Sequence, residues 1–249
     1  MRVGLHNHSC YSDGRLSPAQ LVAQGAALGY ECLALTDHNT TAGWQSLGAL
    51  PDWVAPGIEL SVRSDDGVEV HLLGLWLEPR GPLVAHTRAF TEVYSRAWRE
   101  GMLQATGDPT LADLAADPLT RAQAIDHLCR ELGPAQALRA WVAGHTTIEQ
   151  HRPPMPHWLE GLGWLRECGA TVGLAHPQRY GPLRDLEAIV QAVDAVEVIH
   201  PTHSEAHRLH WQAEARRFGK ACWGSHDYHG WSGCQQQGLP EPVTIDALR

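Results

Sequence analysis

The chain has 249 residues, 43% of them hydrophobic, and a net charge of −9 with histidine counted neutral. That length and apolar share suffice for one α/β domain of barrel size with a large buried core. The acidic balance and the lack of a basic run exclude a protein that grips duplex nucleic acid by its phosphates, though not one that takes a small phosphorylated molecule.

Met1 is followed almost at once by a short strand, Arg2-Val-Gly-Leu5, which leaves no room for a signal peptide, so a cytoplasmic protein is expected. No apolar run reaches membrane-spanning length, so no membrane partner is expected either. His6 and His8 stand just past the strand, and residues two apart in an extended chain project to one face. Asp13 follows in the loop Ser12-Asp13-Gly14. Pro18 to Leu28 reads as a helix, with Ser17 as its N-cap, proline at its first position and Gly29 as its stop. Cys32 to Thr36 is the next strand, and Asp37 and His38 leave its end. A strand–helix–strand unit thus carries imidazoles and carboxylates at both carboxyl ends, where parallel α/β folds place their chemistry.

A short helix is expected over Trp44 to Leu50, then a strand from Trp53 to Leu60 that delivers Glu59. The turn Arg63 to Gly67 joins it to a hairpin partner, Val68 to Leu77, which carries His71. A carboxylate or imidazole inside an apolar strand is costly unless paired or bound to a metal. From Gly81 to about Met155 strand-like runs vanish. Helices are predicted over His86 to Gln104, Leu111 to Ala115, Arg121 to Leu132 and Pro134 to Val142, with breaks at Gly107-Asp-Pro109, Asp117-Pro118 and Gly133-Pro134. Gly144 to Pro156 reads as a loop carrying His145, His151 and Arg152. The domain organisation that follows is a barrel formed by residues 1–80 and 156–249, with a helical insertion over 81–155.

The α/β rhythm then resumes with a helix over Trp158 to Cys168 and a strand, Ala170 to Ala175, ending at His176. A helix over Pro182 to Val193, a strand over Ala195 to Ile199, a helix over Ser204 to Phe218 and a strand over Lys220 to Trp223 follow. The last strand runs into Ser225-His-Asp227-Tyr-His229. Repeated units of this kind predict a mostly parallel sheet, closed or nearly so, with helices outside. The six cysteines contain no C-x-x-C pair and are expected to be reduced thiols.

Strand ends therefore gather His6, His8, Asp13, Asp37, His38, Glu59, His71, His176, Asp227 and His229 on one rim. Mixed nitrogen and oxygen donors without clustered thiolates suit Mn²⁺, Zn²⁺ or Fe²⁺ better than Ca²⁺ or Mg²⁺. Two or three close divalent ions are the usual equipment for hydrolysing phosphate esters, because they make hydroxide from a bound water and neutralise phosphoryl charge.

Six motifs in this order, LHNHSCYSDG, LALTDHNTTAG, PGIEL, HLLGL, GLAHPQRY and SHDYH, resemble those of the PHP (polymerase and histidinol phosphatase) metallo-phosphoesterases over nearly the whole chain. The chain is most similar to the branch of 3′,5′-nucleoside bisphosphate phosphatases, also known as RNase AM, which shares the helical insertion. The resemblance implies a distorted seven-stranded (β/α) barrel with a trinuclear site. By motif position, His6, His8, Glu59 and Asp227 would hold one ion, and Glu59 would bridge to a second held by His71 and His176. Asp13, His38 and His229 would hold the third. Asp37 reads as a carboxylate orienting a ligand, and Arg121 and Arg179 as holders of substrate phosphate.

The implied reaction is hydrolysis of a phosphomonoester by metal-activated water. The implied substrate is a 3′,5′-nucleoside bisphosphate or the 5′ end of a short single-stranded RNA. A histidinol-phosphatase-like or sugar-phosphate activity is the alternative on the same metals. A non-catalytic metal-binding accessory domain is a third reading, against which all nine ligand positions speak. The chain departs from the family pattern at Gly4 and Asn39, where aspartate is usual, and at Gln123, where the insertion motif carries histidine. His200, His203 and His226 are additional rim histidines, expected to line the pocket or the surface, with His203 or His226 as a candidate proton donor.

Overall fold

The structure, a computed structural model, describes residues 1–232 and 234–246. The chain opens with β1 (Arg2–Gly4), α1 (Pro18–Leu28), β2 (Cys32–Leu35) and the single turn α2 (Ala42–Gln45). β3 (Val54–Arg63) and β4 (Glu69–Leu75) form a hairpin, followed by four helices: α3 (Pro82–Thr106), α4 (Pro109–Ala116), α5 (Pro118–Glu131) and α6 (Pro134–His151). Alternation then returns with α7 (Trp158–Glu167), β5 (Thr171–Leu174), α8 (Leu186–Ala192), β6 (Ala195–Ile199), α9 (Glu205–Arg217) and β7 (Ala221–Gly224). Three two-residue strands end the described chain: β8 (Trp231–Ser232), β9 (Gln235–Gln236) and β10 (Val243–Thr244).

The main sheet has the order β10-β1-β2-β3-β4-β5-β6-β7. β1, β2 and β3 run parallel, as do β5, β6 and β7, whereas β4 is antiparallel to both its neighbours. Beyond β1 and β7 the chain ends meet: Leu5 donates to the Gly224 carbonyl and His8 to that of Tyr228, at 3.4 and 2.8 Å. The sheet is thereby a nearly closed barrel, the PHP-type fold that the motif order implied.

Its interior is filled by small and medium apolar side chains, among them Val3, Ala34, Ala55, Leu73, Ala175 and Ala195, around the buried indole of Trp223. Gly173 makes room for that ring, since a Cβ there would lie 2.5 Å from it. The outer faces of the strands pack on the helices through a second cluster that includes Ile58, Leu72, Leu165, Ile189 and Val196. α1 starts as expected: the Ser17 side chain accepts from Gln20 N–H, Gln20 reaches back to Ser17, and Gly29 ends the helix with φ 71°.

Helices α3 to α6 carry their own apolar cluster, with Met102, Ala112, Ala115, Ala124 and Leu128 at its centre. Here two expectations are corrected. Gly144 to His151 is helix rather than loop, continuing α6. Gly144 is not a breaker: it faces Gly101 of α3, where a Cβ would sit 2.3 Å from the Ala140 carbonyl and 2.8 Å from Gly144 N. The glycines let two helix backbones touch, and that packing outweighs glycine's poor helix propensity. The second correction is that Cys129 and Cys234 form a disulfide, 105 residues apart in sequence, tying α5 to the segment between β8 and β9. Cys10, Cys32, Cys168 and Cys222 are free. Among the described residues no helix is long and apolar enough to cross a membrane.

Candidate metal centre

Glu59 is the hub. The register of the β3–β4 hairpin pairs Glu59 with Leu73 and His71 with Ser61, so Glu59 and His71 are diagonal neighbours on one face. Because β4 runs backwards, its beginning lies on the rim where β1, β2, β5 and β7 end. Glu59 is 0% exposed, and five imidazoles surround its carboxylate. Its Oε1 lies 2.7 Å from His71 Nδ1 and 2.9 Å from His176 Nε2. Its Oε2 lies 3.0 Å from His6 Nε2, 3.3 Å from His8 Nε2 and 2.9 Å from His38 Nδ1.

Asp227 closes the group, its Oδ1 3.3 Å from His6 Nε2 and 3.1 Å from His8 Nε2. On the outer side, Asp13 Oδ2 lies 3.3 Å from His229 Nε2 and 3.7 Å from His38 Nε2. Three groups of donor atoms result, the atoms of each lying within 4.8 Å of one another: His6, His8, Glu59, Asp227; His8, Asp13, His38, His229; and His38, Glu59, His71. The first matches the set implied by motif position, and the second adds His8 to its set. In the third, His38 takes the place given to His176, which stays within 2.9 Å of Glu59.

The backbone is bent to this purpose. His176 and Asp227 have φ of 25° and 48°, values that non-glycine residues hold only when the surroundings enforce them. Asn39, at φ 53°, also lies on the rim; asparagine tolerates that conformation, and its side chain ties β2 to β3 through Ser61 Oγ and Ser61 N–H.

The donors fit divalent cations. His6 Nε2, His8 Nδ1 and Glu59 Oε2 are buried without hydrogen-bond partners, their close approaches lacking hydrogen-bond geometry. Buried polar atoms are rarely left so, and a cation would satisfy lone pairs that face one another. The electrostatics agree. Burial pushes Glu59 upward, but His6, His38 and His71 overturn it and hold the carboxyl well below its ordinary range. Burial lowers His71, yet Glu59 and Glu69 lift it to about 10. His229 likewise rises against burial to about 10, through Asp13 and Asp227. His8 falls to about 3 through burial and the neighbouring His229 and His38.

Other residues hold these groups in place, and sequence reasoning did not single them out for it. Glu197 of β6 is buried; its two oxygens lie 3.3 and 3.4 Å from His6 Nδ1, and Oε2 accepts His176 N–H at 2.7 Å. The Tyr180 hydroxyl accepts His71 N–H at 2.9 Å and lies 3.1 Å from His176 Nδ1. Such contacts fix which ring nitrogen carries a proton and leave the other bare. Glu69 lies 3.1 Å from His71 Nε2, and His200 Nε2 is 3.2 Å from Asp227 Oδ2. The signal for Glu197 was present: like Glu59, it is a carboxylate inside an apolar strand.

Arg179 lines the cavity above the rim, half-exposed, with Nη2 3.0 Å from Asp227 Oδ2. Arg121 and Asp37 stand outside the cavity lining. Arg121 is only 1% exposed, and its guanidinium is engaged with the main chain: Nε donates to the Ala115 carbonyl, and Nη1 to those of Cys10 and Ser12. It pins the loop bearing Asp13 to α5. Asp37 touches no imidazole; it accepts from Ser9 N–H, Ser9 Oγ and Ser12 Oγ, each at 2.7 Å, and so shapes the same loop. Gln123 is exposed on α5, so its departure from the family pattern leaves the cavity unaltered. His226 lines the cavity, while His203 is buried with Nδ1 donating to the Val198 carbonyl.

The PHP domain pattern matches residues 4–107. The chain is 29% identical to the phosphoribosyl 1,2-cyclic phosphate 1,2-diphosphodiesterase of Eggerthella lenta over 245 residues, covering 91% of this chain and 93% of that one. It is also 29% identical to the 3′,5′-nucleoside bisphosphate phosphatase of Chromobacterium violaceum, covering 91% and 87%. A protein from Bifidobacterium adolescentis assigned as a metal-dependent phosphoesterase superposes with a TM-score of 0.67 at 25% identity, covering 98% and 92%.

Proposed function

The chain belongs to the PHP family of metal-dependent phosphoesterases, and from that premise we propose that it hydrolyses phosphomonoesters of small nucleotides. The substrates proposed are 3′,5′-nucleoside bisphosphates or the 5′ ends of short RNA. The ions proposed are two or three divalent cations, Mn²⁺ ahead of Zn²⁺ or Fe²⁺. One observation carries the reading: a fully buried carboxylate, Glu59, with nitrogens of five imidazoles within 3.3 Å.

In this reading His6, His8, Glu59 and Asp227 would hold one ion, Glu59, His71 and His176 a second, and Asp13, His38 and His229 a third. Bound there, divalent ions lower the pKa of water and neutralise the charge of the phosphoryl group and the leaving oxygen. Glu197 and Tyr180 keep His6 and His176 in the tautomers whose Nε2 is free to ligate. Arg179 offers a guanidinium fork to phosphate oxygens at the cavity edge. A local excess of cations draws a dianion into a chain whose overall charge is −9.

The Eggerthella lenta relative supports a second reading, a phosphorylated ribose lacking a base. The test is a panel with Mn²⁺: adenosine 3′,5′-bisphosphate, a 5′-phosphorylated oligoribonucleotide, ribose 5-phosphate, phosphoribosyl 1,2-cyclic phosphate and histidinol phosphate. Release of phosphate or mononucleotide from the first two, abolished by chelation and restored by Mn²⁺, is the expected result. Turnover confined to the base-free or imidazole esters would replace the nucleotide reading. Full activity after verified metal loss would end both.

A further inference from the structure

The cavity over the ion-binding groups has a volume of about 440 Å³, within the range typical of small-molecule sites. Its two ends differ in chemistry. The floor is formed by Asp13, His38, His71, Asp227 and His229, with Arg179 beside them. The roof is aromatic, built from Phe90, Tyr94 and Trp98 of α3 and Trp141 and His145 of α6.

Phe90, Tyr94 and Trp98 are buried wall, and the Trp98 indole N–H is spent on the Ser12 carbonyl. Trp141 is different, being 47% exposed although it lines the cavity. One turn along α6, the ring of His145 lies parallel to it within 2°, the centroids 5.3 Å apart. The pair forms a flat ledge.

Charge sets which end of a ligand goes where. Arg152, the roof's cation, is engaged with Glu69 and Glu149, each at 2.9 Å. A phosphate therefore finds little free positive charge at the roof and is drawn to the floor. What fits above is flat, uncharged and polarisable.

We propose that Trp141, backed by His145, is a stacking subsite for a nucleobase, holding the base end of a nucleotide whose phosphate lies on the ion-binding floor. The orientation of the phosphate rests on the nucleotide-phosphatase reading; the ledge itself does not. Stacking tolerates any base, since every base has a π face, so the subsite distinguishes nucleotides from base-free esters rather than one base from another.

The experiment compares kcat/KM for adenosine 3′,5′-bisphosphate with that for ribose 5-phosphate, and measures adenosine binding by calorimetry without any phosphate. Trp141→Leu keeps apolar bulk without a flat face, Trp141→Phe keeps a ring, and Val142→Ala, at an exposed neighbouring position on the helix, is the control. Melting curves check that each variant is folded. Loss of one base stack lowers the adenosine-to-ribose ratio roughly tenfold in Trp141→Leu, through KM, and weakens adenosine binding by a similar factor. Trp141→Phe restores most of both, and Val142→Ala changes neither. An unchanged ratio and unchanged adenosine affinity in folded Trp141→Leu would overturn the subsite while leaving the hydrolase intact. Trp141-dependent adenosine binding with no ester turned over would uphold the ledge and sink the hydrolase.

Discussion

Replacing Arg121 by methionine separates two roles for that residue. Its guanidinium makes three hydrogen bonds to main-chain carbonyls, at Ala115, Cys10 and Ser12, and lies 5.1 Å from the Trp98 ring centroid. Methionine keeps the length and apolar stem but leaves the Ala115 and Cys10 carbonyls without a donor, at about 1–3 kcal/mol each, while the Ser12 carbonyl keeps the Trp98 indole N–H. Removing a desolvated guanidinium, whose Nη2 has no hydrogen-bond partner, recovers part of that loss. The net destabilisation is about 2–4 kcal/mol, which for a chain of this size lowers Tm by roughly 5–15 °C. The loop bearing Asp13 also loosens, so the affinity for a divalent ion at the Asp13, His38 and His229 group should fall. Differential scanning calorimetry, metal analysis and substrate titration read the three quantities. A Tm within about 1 °C of the parent, together with a raised KM, would show that Arg121 grips phosphate and that the packing argument is wrong.

Two further outcomes test the centre itself. In Glu197→Gln the amide oxygen still accepts His176 N–H, which turns the NH₂ toward His6 Nδ1 and favours the tautomer with a proton on Nε2. Metal affinity measured by competition with a chromophoric chelator should fall about 10–100-fold with little change in melting; parent-like affinity would mean that Glu197 does not orient His6. In metal-free protein His71 and His229 have pKa values raised to about 10, so both are protonated at neutral pH. Metal must displace those protons, so apparent affinity should rise with pH up to about 10, and calorimetry in buffers of different ionisation enthalpy should show proton release. The sign for stability is opposite. The raised histidines stabilise the metal-free fold fully below 6.5 and lose that contribution as pH climbs through about 10. Affinity independent of pH would contradict the protonated resting state.

The barrel and its rim were legible because both follow from local rules. Strands and helices alternate with clear punctuation, and a ligand just past a strand end has nowhere to point but the rim. Glu59 and His71 were legible for the same reason, as polar residues out of keeping with apolar strands. Glu197 carried that signal too, but it faces His6 rather than the cavity, and sequence does not tell such directions apart. Arg121 shows the same limit: a motif supplies the residue, while packing against Cys10, Ser12 and Trp98 decides where its charge goes. The extension of α6 was hidden because Gly144 signals a break locally and a close helix crossing only in the presence of Gly101. The Cys129–Cys234 bond had no spacing to announce it.

The reversal of β4 has a mechanical consequence. After Leu75 the polypeptide emerges at the base of the barrel, opposite the rim that carries Glu59 and its imidazoles. The 25-residue α3 is its return stroke, long enough at 1.5 Å per residue to climb roughly 37 Å. Its lower turns are bolted to the wall, with His86 against Trp164, and its upper turns overhang the opening like a cantilever. Insertions or deletions beyond Trp98 can therefore reshape the ceiling while the anchorage below stays put. One backward strand separates the barrel rim that gathers the imidazoles and carboxylates from the helices that wall the cavity above it.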